Sequence, residues 1–433
     1  MKRNLTKNLV QWKNSITRKP LILKGVRQCG KTYTLKEFGS NNYSEVAYFN
    51  FEKNDELINL FEKNLEPERI IAELGILFGK IIESEKTLII LDEIQFCNRA
   101  LTSLKYFCED TPQYHIVCAG SLLGIALSKP LSFPVGKVDF LTLYPMNFYE
   151  FLLANSQEML CEYLSKLNKI EEISKSFSGK LENFLKSYYI SGGMPEAVLT
   201  WLETNDIEKL EIVQQRILES YELDFAKHAP SKDFPKLSAI WRSIPEQLAK
   251  ENKKFIFGQV KKGLRAKQLE DSLEWLISAG LVHKVVKITK PFIPLSSYSE
   301  ETFFKLYMVD IGLLRKMSKL PASVILDKKN TLYTEFKGAM TENYVLCELV
   351  NLYGETPFFW RSENIAEVDF IIQNDADIVP LEVKSEKNDK SRSLAEYLKK
   401  YKPRISKKLS MKNITSSNVP LYLIWQLKKY LAR

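Results

Sequence analysis

The run GVRQCGKT, Gly25–Thr32, spaces two glycines, a lysine and a hydroxyl in the G-x-x-x-x-G-K-[ST] pattern of a phosphate-binding loop. Gly25 and Gly30 let the chain curl so that backbone N–H groups of Val26, Arg27, Gln28 and Cys29 face an anion at a helix N-terminus. Lys31 would reach the β- and γ-phosphates of a nucleoside triphosphate, read here as ATP, and the Thr32 hydroxyl would ligate Mg²⁺. Further along, the apolar run TLIILDEIQ delivers Asp92 and Glu93 at its end. Asp92 would hold Mg²⁺, directly or through water, and Glu93 would polarise the attacking water of an in-line phosphoryl transfer. CAGS closes the next apolar run, where Ser121 would sense the γ-phosphate or position water, or would simply turn the chain with Gly120. A cation at the transition state adds about 10³ to 10⁵ in rate. Arg99 and Lys137 are the candidates, and each reads equally as an ordinary surface charge.

A second constellation lies near the other end, in EVDFIIQNDADIVPLEVKSE, Glu367–Glu386. With Asp375 and Ala376 at the tip of a two-residue turn, Asp369 falls opposite Glu382, and Glu367 opposite Lys384. These four then share one face, while Val368, Phe370, Leu381 and Val383 make the other. Facing acids raise one another's pKa unless a cation joins them. Mg²⁺ would satisfy them, with Lys384 positioning or deprotonating a water. The order Asp, a spacer, then Glu-x-Lys resembles the D…ExK signature of restriction-like nucleases, and Glu342 matches its upstream acid. The alternative is a plain cross-strand ion pair, with Arg361 neutralising Asp369 and no metal.

These residues need elements to position them. The runs LILKG, EVAYFNF, TLIILDE, YHIVCAGS and VDFLTLYPM are apolar almost throughout and alternate with helical patterns. That alternation predicts a doubly wound α/β parallel sheet covered on both faces. From about 150 to 230 the periodicity turns helical, interrupted at SGGMPEA by Gly192, Gly193 and Pro195. Residues 233–290 read as three short helices and a hairpin, the order of a winged helix. Gln259, Lys261, Lys262, Arg265 and Lys267 cluster just before and within its second helix, RAKQLEDSLEWLISAG, with Glu270, Asp271 and Glu274 directly after. Such a module touches DNA phosphates or packs between domains. The aromatic-rich segment that follows reads as a packed connector, and a final domain begins near 330 with a helix.

At 433 residues the chain predicts two or three domains. Its 45% hydrophobic and 27% charged residues describe a globular, soluble protein. No apolar run is long enough to span a bilayer, and the basic start lacks the apolar core of a signal peptide. The six cysteines show no metal-ligand or disulfide spacing, which points to the cytoplasm. The net charge of +9 is concentrated in Lys384–Asn413, either the footprint of a polyanion or a solvated helix face.

The segments LILKGVRQCGKT, LIILDEIQ, CAGS, LYPMNFYEFL and SGGMPEAV together resemble a group of prokaryotic AAA-type P-loop ATPases. YELDFAKHA, AGLVHKV, FKLYMVDIGLL and EVDFII…LEVKS extend the resemblance over nearly the whole chain. It implies an AAA-type core (1–152), a helical lid (153–232), a winged helix (233–292), a packed connector (293–329) and a restriction-endonuclease-like domain of unknown function (330–433). Taken with the motifs, it leads to the expectation of Mg²⁺-dependent ATP hydrolysis, DNA as partner and a homo-oligomer, while the lack of a long apolar run predicts no membrane. Relatives carry arginine where VGKVDF has Lys137, and lysine cannot make the forked contact of an arginine finger. The alternative function is an ATP-dependent switch or scaffold whose C-terminal domain binds without cutting. A metabolic kinase finds no acceptor-site motif.

Overall fold

The computed structural model describes residues 1–433 except 122–133, 230–232, 251–252, 262, 264, 328–333, 363–365, 387–390 and 433. It divides into two compact units, Met1–Tyr144 with the short segment Ser278–Gly280, and Pro145–Ile277 with Leu281–Arg433.

The first unit holds five strands: β1 (Leu21–Gly25), β2 (Glu45–Asn50), β3 (Thr87–Asp92), β4 (His115–Ser121) and β5 (Asp139–Thr142). They form one sheet in the order β2-β3-β4-β1-β5, and every neighbouring pair is parallel. The expected parallel α/β sheet is therefore present. All six residues of β3 are buried, as a strand covered on both faces demands. Ile22, Ile89, Leu91, Ile116 and Cys118 meet Leu101, Leu104 and Phe107 of the helix Asn98–Asp110 in one core. Parallel strands bring their C-terminal ends to one edge, so the turn after β1 and the end of β3 emerge on the same side. The crossing order places β4 between β3 and β1.

The second unit carries a seven-stranded sheet: β6 (Val282–Ile288), β7 (Ser299–Met308), β8 (Phe358–Arg361), β9 (Glu367–Asn374), β10 (Asp377–Val383), β11 (Lys407–Ser410) and β12 (Asn418–Pro420). Its order is β12-β11-β10-β9-β8-β6-β7. Three helices, Phe234–Leu248, Phe257–Val260 and Ala266–Ser278, precede β6 in the expected sequence. The wing is not a separate element, however. β6 pairs antiparallel with β7 on one side and parallel with β8 on the other. β7 itself was expected as connector, and the divisions at 292 and 329 do not separate the strands of this sheet. The reason is that Phe304–Met308 of SEETFFKLYM are all buried, so successive side chains are covered on both faces of the strand, as those of a sheet element are.

SGGMP and VDIG, singled out by sequence, meet in this unit. Asp310 accepts from the N–H of Gly193 at 2.6 Å and caps the helix Ile311–Met317 through the N–H of Leu313 at 2.9 Å. A Cβ on Gly193 would lie 2.0 Å from the carbonyl oxygen of Met146, so only glycine permits this approach. Burial raises the Asp310 carboxyl to about 6.

Candidate functional site

The loop between β1 and the helix Lys31–Asn42 curls through two left-handed residues, Gln28 (φ 62°) and Gly30 (φ 94°). Gly25 is required at its start, because a Cβ there would sit 2.4 Å from the Leu143 carbonyl oxygen. Arg3 holds the loop from below, donating to the carbonyls of Cys29 at 2.9 Å and Tyr144 at 2.5 Å. Cys29 is buried, with its thiol directed at the Leu143 carbonyl at 3.4 Å. The Lys31 ammonium lies inside the curl, donating to the carbonyls of Gly25 and Val26, each at 3.0 Å.

Thr32 and Asp92 are brought together across the sheet edge. The Thr32 hydroxyl donates to Oδ2 of Asp92 at 2.9 Å. The same oxygen accepts from the Tyr48 hydroxyl of β2 at 2.7 Å, a partner that no motif announced. Register explains it: Asn50 faces Asp92 between β2 and β3, and Tyr48, two residues back, lies on the same half-buried face as Asn50. A hydroxyl and a carboxylate sharing one bond are the hard oxygen donors Mg²⁺ takes, so the residues present fit that ion.

Glu93 follows in the left-handed conformation (φ 53°), its N–H donating to Oδ1 of Asp92 at 3.1 Å. Gln95 donates to the Glu93 carboxylate at 2.5 Å. Burial raises the Glu93 carboxyl and the Asp92 charge adds to this, while Gln95, Lys31 and Arg27 oppose the rise. Ser121 ends β4 in register with Gly25, and its side chain lies outside the described part. Neither cation proposed for the transition state reaches this edge within its own chain. Arg99 donates to the Phe61 carbonyl at 2.7 Å and pairs with Glu62 at 3.5 Å, and Lys137 pairs with Glu109 at 2.9 Å.

In the second unit the turn at Asp375–Ala376 sets the expected register, Asn374 facing Asp377 and Phe370 facing Leu381. Val368, Phe370, Leu381 and Val383 are buried as expected. The ladder then stops, one pair short of Asp369 and Glu382. The Asp369 carboxylate takes the N–H of Val383 at 2.8 Å, in place of a backbone carbonyl, and Glu382 pairs onward with Lys408 of β11. The expected Glu367–Lys384 pair is consequently not formed. Glu367 faces Arg361 on β8, while the Lys384 N–H bonds to the Leu409 carbonyl.

The four nuclease-like residues nonetheless converge, with further partners that sequence spacing gave no reason to link. Lys384 pairs with Glu382 at 2.8 Å, and Ser391 donates to the same oxygen at 2.7 Å. The other Glu382 oxygen is buried without a hydrogen-bond partner. Glu342, on the helix Thr334–Tyr353, accepts from Lys253 and from the Tyr307 hydroxyl at 3.1 Å. Lys305, fully buried, pairs with Glu367 at 2.5 Å and lies 3.9 Å from Glu342.

The electrostatics are divided. Burial and the charges of Glu342 and Glu382 push the Asp369 carboxyl well above its ordinary range. Burial would do the same to Glu342, but Lys253 and Lys305 overcome it and hold that group low. Burial works against the Lys305 charge, and Glu367 and Glu342 outweigh it, so its ammonium is held more firmly than usual. Among the described residues no group of three or more His, Cys, Asp and Glu is gathered to hold a metal by itself. The expected polar patch of acids and Lys384 is thus joined by two further lysines, Lys253 and Lys305.

Of the residues expected at a winged-helix surface, Lys261, Arg265 and Lys267 are exposed, and so are Glu270, Asp271 and Glu274. Lys262 lies outside the described residues. No helix among the described residues is long and apolar enough to cross a membrane. All six cysteines are free.

The family model of an AAA domain matches residues 17–152. Two models of domains of unknown function match 182–324 (DUF8612) and 337–425 (DUF4143). No curated protein matches the chain. Among solved structures, the chain is similar to a Walker-type ATPase of Pyrococcus abyssi, at 14% identity and a TM-score of 0.46, over 73% of this chain and 95% of that one. It is similar to the Aeropyrum pernix Orc1 protein, solved in complex with DNA, at 11% identity and a TM-score of 0.29, over 75% and 93%. It is also similar to the Thermotoga maritima RuvB Holliday junction branch migration motor, at 14% identity and a TM-score of 0.32, over 65% and 88%. The match to the AAA domain and the loop geometry together identify residues 17–152 as an AAA-type P-loop ATPase domain.

Proposed function

We propose that this protein binds ATP with Mg²⁺ at Gly25–Thr32, hydrolyses it, and acts on DNA through its C-terminal unit. The observation that carries the nucleotide part is the Thr32–Asp92 hydrogen bond at 2.9 Å, which unites the loop hydroxyl with the acid ending β3. The backbone N–H groups from Val26 to Cys29 would cradle the phosphates, and Lys31 would exchange its two carbonyl partners for phosphate oxygens. Thr32 and Asp92 would hold Mg²⁺, which supplies charge neutralisation at the phosphates. Glu93 would orient and deprotonate the attacking water, and Ser121 would stand beside it at the end of β4. The homo-oligomer belongs to this reading, since Arg99 and Lys137 have partners in their own chain and a neighbouring copy would have to bring the finger.

The test is direct. Lys31→Ala should weaken binding of a fluorescent ATP analogue by about 10- to 100-fold, the worth of a charged hydrogen bond. Glu93→Gln should bind ATP normally and lose about 10²- to 10⁴-fold in turnover. Undiminished hydrolysis in Glu93→Gln would remove the assigned base.

The acid–lysine cluster supports two versions of the DNA part. Cleavage is favoured by the partnerless buried oxygen of Glu382 and the elevated Asp369, both of which a divalent cation would satisfy. Here Asp369 and Glu382 would hold the ion, Glu342 would have to exchange Lys253 for it to join them, and Lys384 would position water. Binding without cleavage is favoured by Lys253 and Lys305, which already neutralise Glu342 and Glu367. Mg²⁺- or Mn²⁺-dependent cutting of DNA that disappears in Asp369→Ala selects the first, and binding without cutting selects the second.

A further inference from the structure

Along β7 the residues Phe303, Lys305 and Tyr307 alternate onto one face, and they form a row. Lys305 and Tyr307, at its inner end, are fully buried against Glu342 and Glu367. Phe303, at its outer end, is half-buried. Three cations from three different segments converge on its ring. The Lys254 ammonium lies 4.1 Å from the ring centroid, that of Lys287 (β6) 5.0 Å, and the Arg361 guanidinium (β8) 5.7 Å.

An aromatic ring offers two faces, so three cations exceed what ring capping needs. Two of them also meet acids. Lys287 pairs with Glu300 at 2.8 Å, and Arg361 lies 3.7 Å from Glu367, which it shares with the closer Lys305. No acid among the described residues pairs with Lys254. All three are partly exposed, so an anion that meets the unpaired Lys254 also lies within reach of Lys287 and Arg361.

We propose that Phe303, Lys254, Lys287 and Arg361 form a docking surface for an unpaired nucleic-acid strand. The three cations turn to successive phosphates, and a base takes the ring face that they leave. Positive groups interleaved with an aromatic platform are what a single strand requires, because its bases expose faces that a duplex keeps stacked. Glu367, held by both Arg361 and Lys305, joins this surface to the acid cluster. The surface rests on the nucleic-acid reading of the C-terminal unit, and not on cleavage.

The test is fluorescence anisotropy of full-length protein with a labelled oligothymidylate, and with a duplex of equal length, in EDTA so that nothing is cut. Phe303→Leu, which keeps an apolar side chain, should weaken strand binding about 10-fold. Lys254→Gln combined with Lys287→Gln should reduce the slope of log K against log salt by about 1.4, two contacts at about 0.7 each on a single strand. Arginine at both positions should restore the slope. An unchanged slope in the double variant overturns the surface, whether or not the protein cuts DNA. So does a duplex bound as tightly as the strand and indifferent to Phe303→Leu. Strand binding that the double variant weakens, in a protein that never cuts, supports the surface and removes only the nuclease.

Discussion

The hydroxyl of Thr32 donates to the carboxylate of Asp92 at 2.9 Å, and Tyr48 donates to the same oxygen at 2.7 Å. Asp92 is 3% exposed, so its charge is kept in place by two hydroxyl donors and the N–H of Glu93. A buried carboxylate so satisfied is stable and correctly aimed, but it also crowds Glu93. The consequences for Glu93 are measurable.

Because burial and the Asp92 charge raise the Glu93 carboxyl, a base role predicts an acid limb in kcat displaced above the ordinary carboxylate range. Activity falls as pH drops through the raised value, since the proton blocks the base. Asp92→Asn would remove the charge but also the proposed Mg²⁺ ligand, so the cleaner probe is Gln95→Met. Losing the bond that favours the ionised form should move the limb further up in pH. A pH–rate profile under saturating ATP reads this, and an unmoved limb would separate it from Glu93.

Lys253 occupies Glu342 with an ammonium, and its own backbone is in the left-handed region (φ 45°). If a divalent cation binds the acid cluster, it competes with that ammonium. Lys253→Gln should then tighten Mn²⁺ binding about 10-fold, the worth of one charged contact. Electron paramagnetic resonance of free Mn²⁺ measures it without any substrate. A weaker Mn²⁺ affinity in the variant would contradict competition.

Gly193→Ala places a Cβ 2.0 Å from the backbone oxygen of Met146, where no flexible side chain can yield. Overpacking against backbone should cost about 3 kcal/mol or more. Gly179→Ala serves as comparison: it is helical with open space around it, and should stabilise by roughly 0.5–1 kcal/mol. Urea denaturation of the two variants gives opposite shifts in midpoint.

Glu348 is buried, accepts the N–H of Phe148 at 2.7 Å through one oxygen, and leaves the other without a partner. Burial, with a further push from Glu150, raises its carboxyl to about 8. A raised acid contributes stability only while protonated. That contribution is complete below the ordinary carboxylate range and is lost as pH climbs through about 8. Wild-type protein should lose a few kcal/mol between pH 6 and 9, roughly as linkage predicts for a shift of this size. Glu348→Gln should be nearly flat over that window. Parallel pH dependence in the two proteins would exclude Glu348 as the source.

The nucleotide site was legible because it is nearly local. Strand, curl and helix follow one another within Leu21–Asn42, and glycines at two positions of the curl are demanded by backbone geometry that no other residue meets. Asp92 lies far along the chain, but an apolar strand ending in acids carries its own signature. The hairpin register was legible for a similar reason, since a two-residue turn leaves one pairing that buries Val368, Phe370 and Leu381.

Where that ladder ends was not legible. It depends on a side-chain oxygen of Asp369 replacing a backbone acceptor, a contest of a few hydrogen bonds that residue type leaves open. Lys253, Lys305 and Tyr307 come from segments read as winged helix and connector, and no spacing ties them to Glu342. The sequence by itself determined the phosphate loop, its acids and the strands that present them, because short-range geometry restricts which residues can serve. Only the tertiary structure decided that the presumed wing and connector join the C-terminal sheet and neutralise its acids. Charge compensation in a buried cluster is settled by which distant side chains packing brings within a few ångströms.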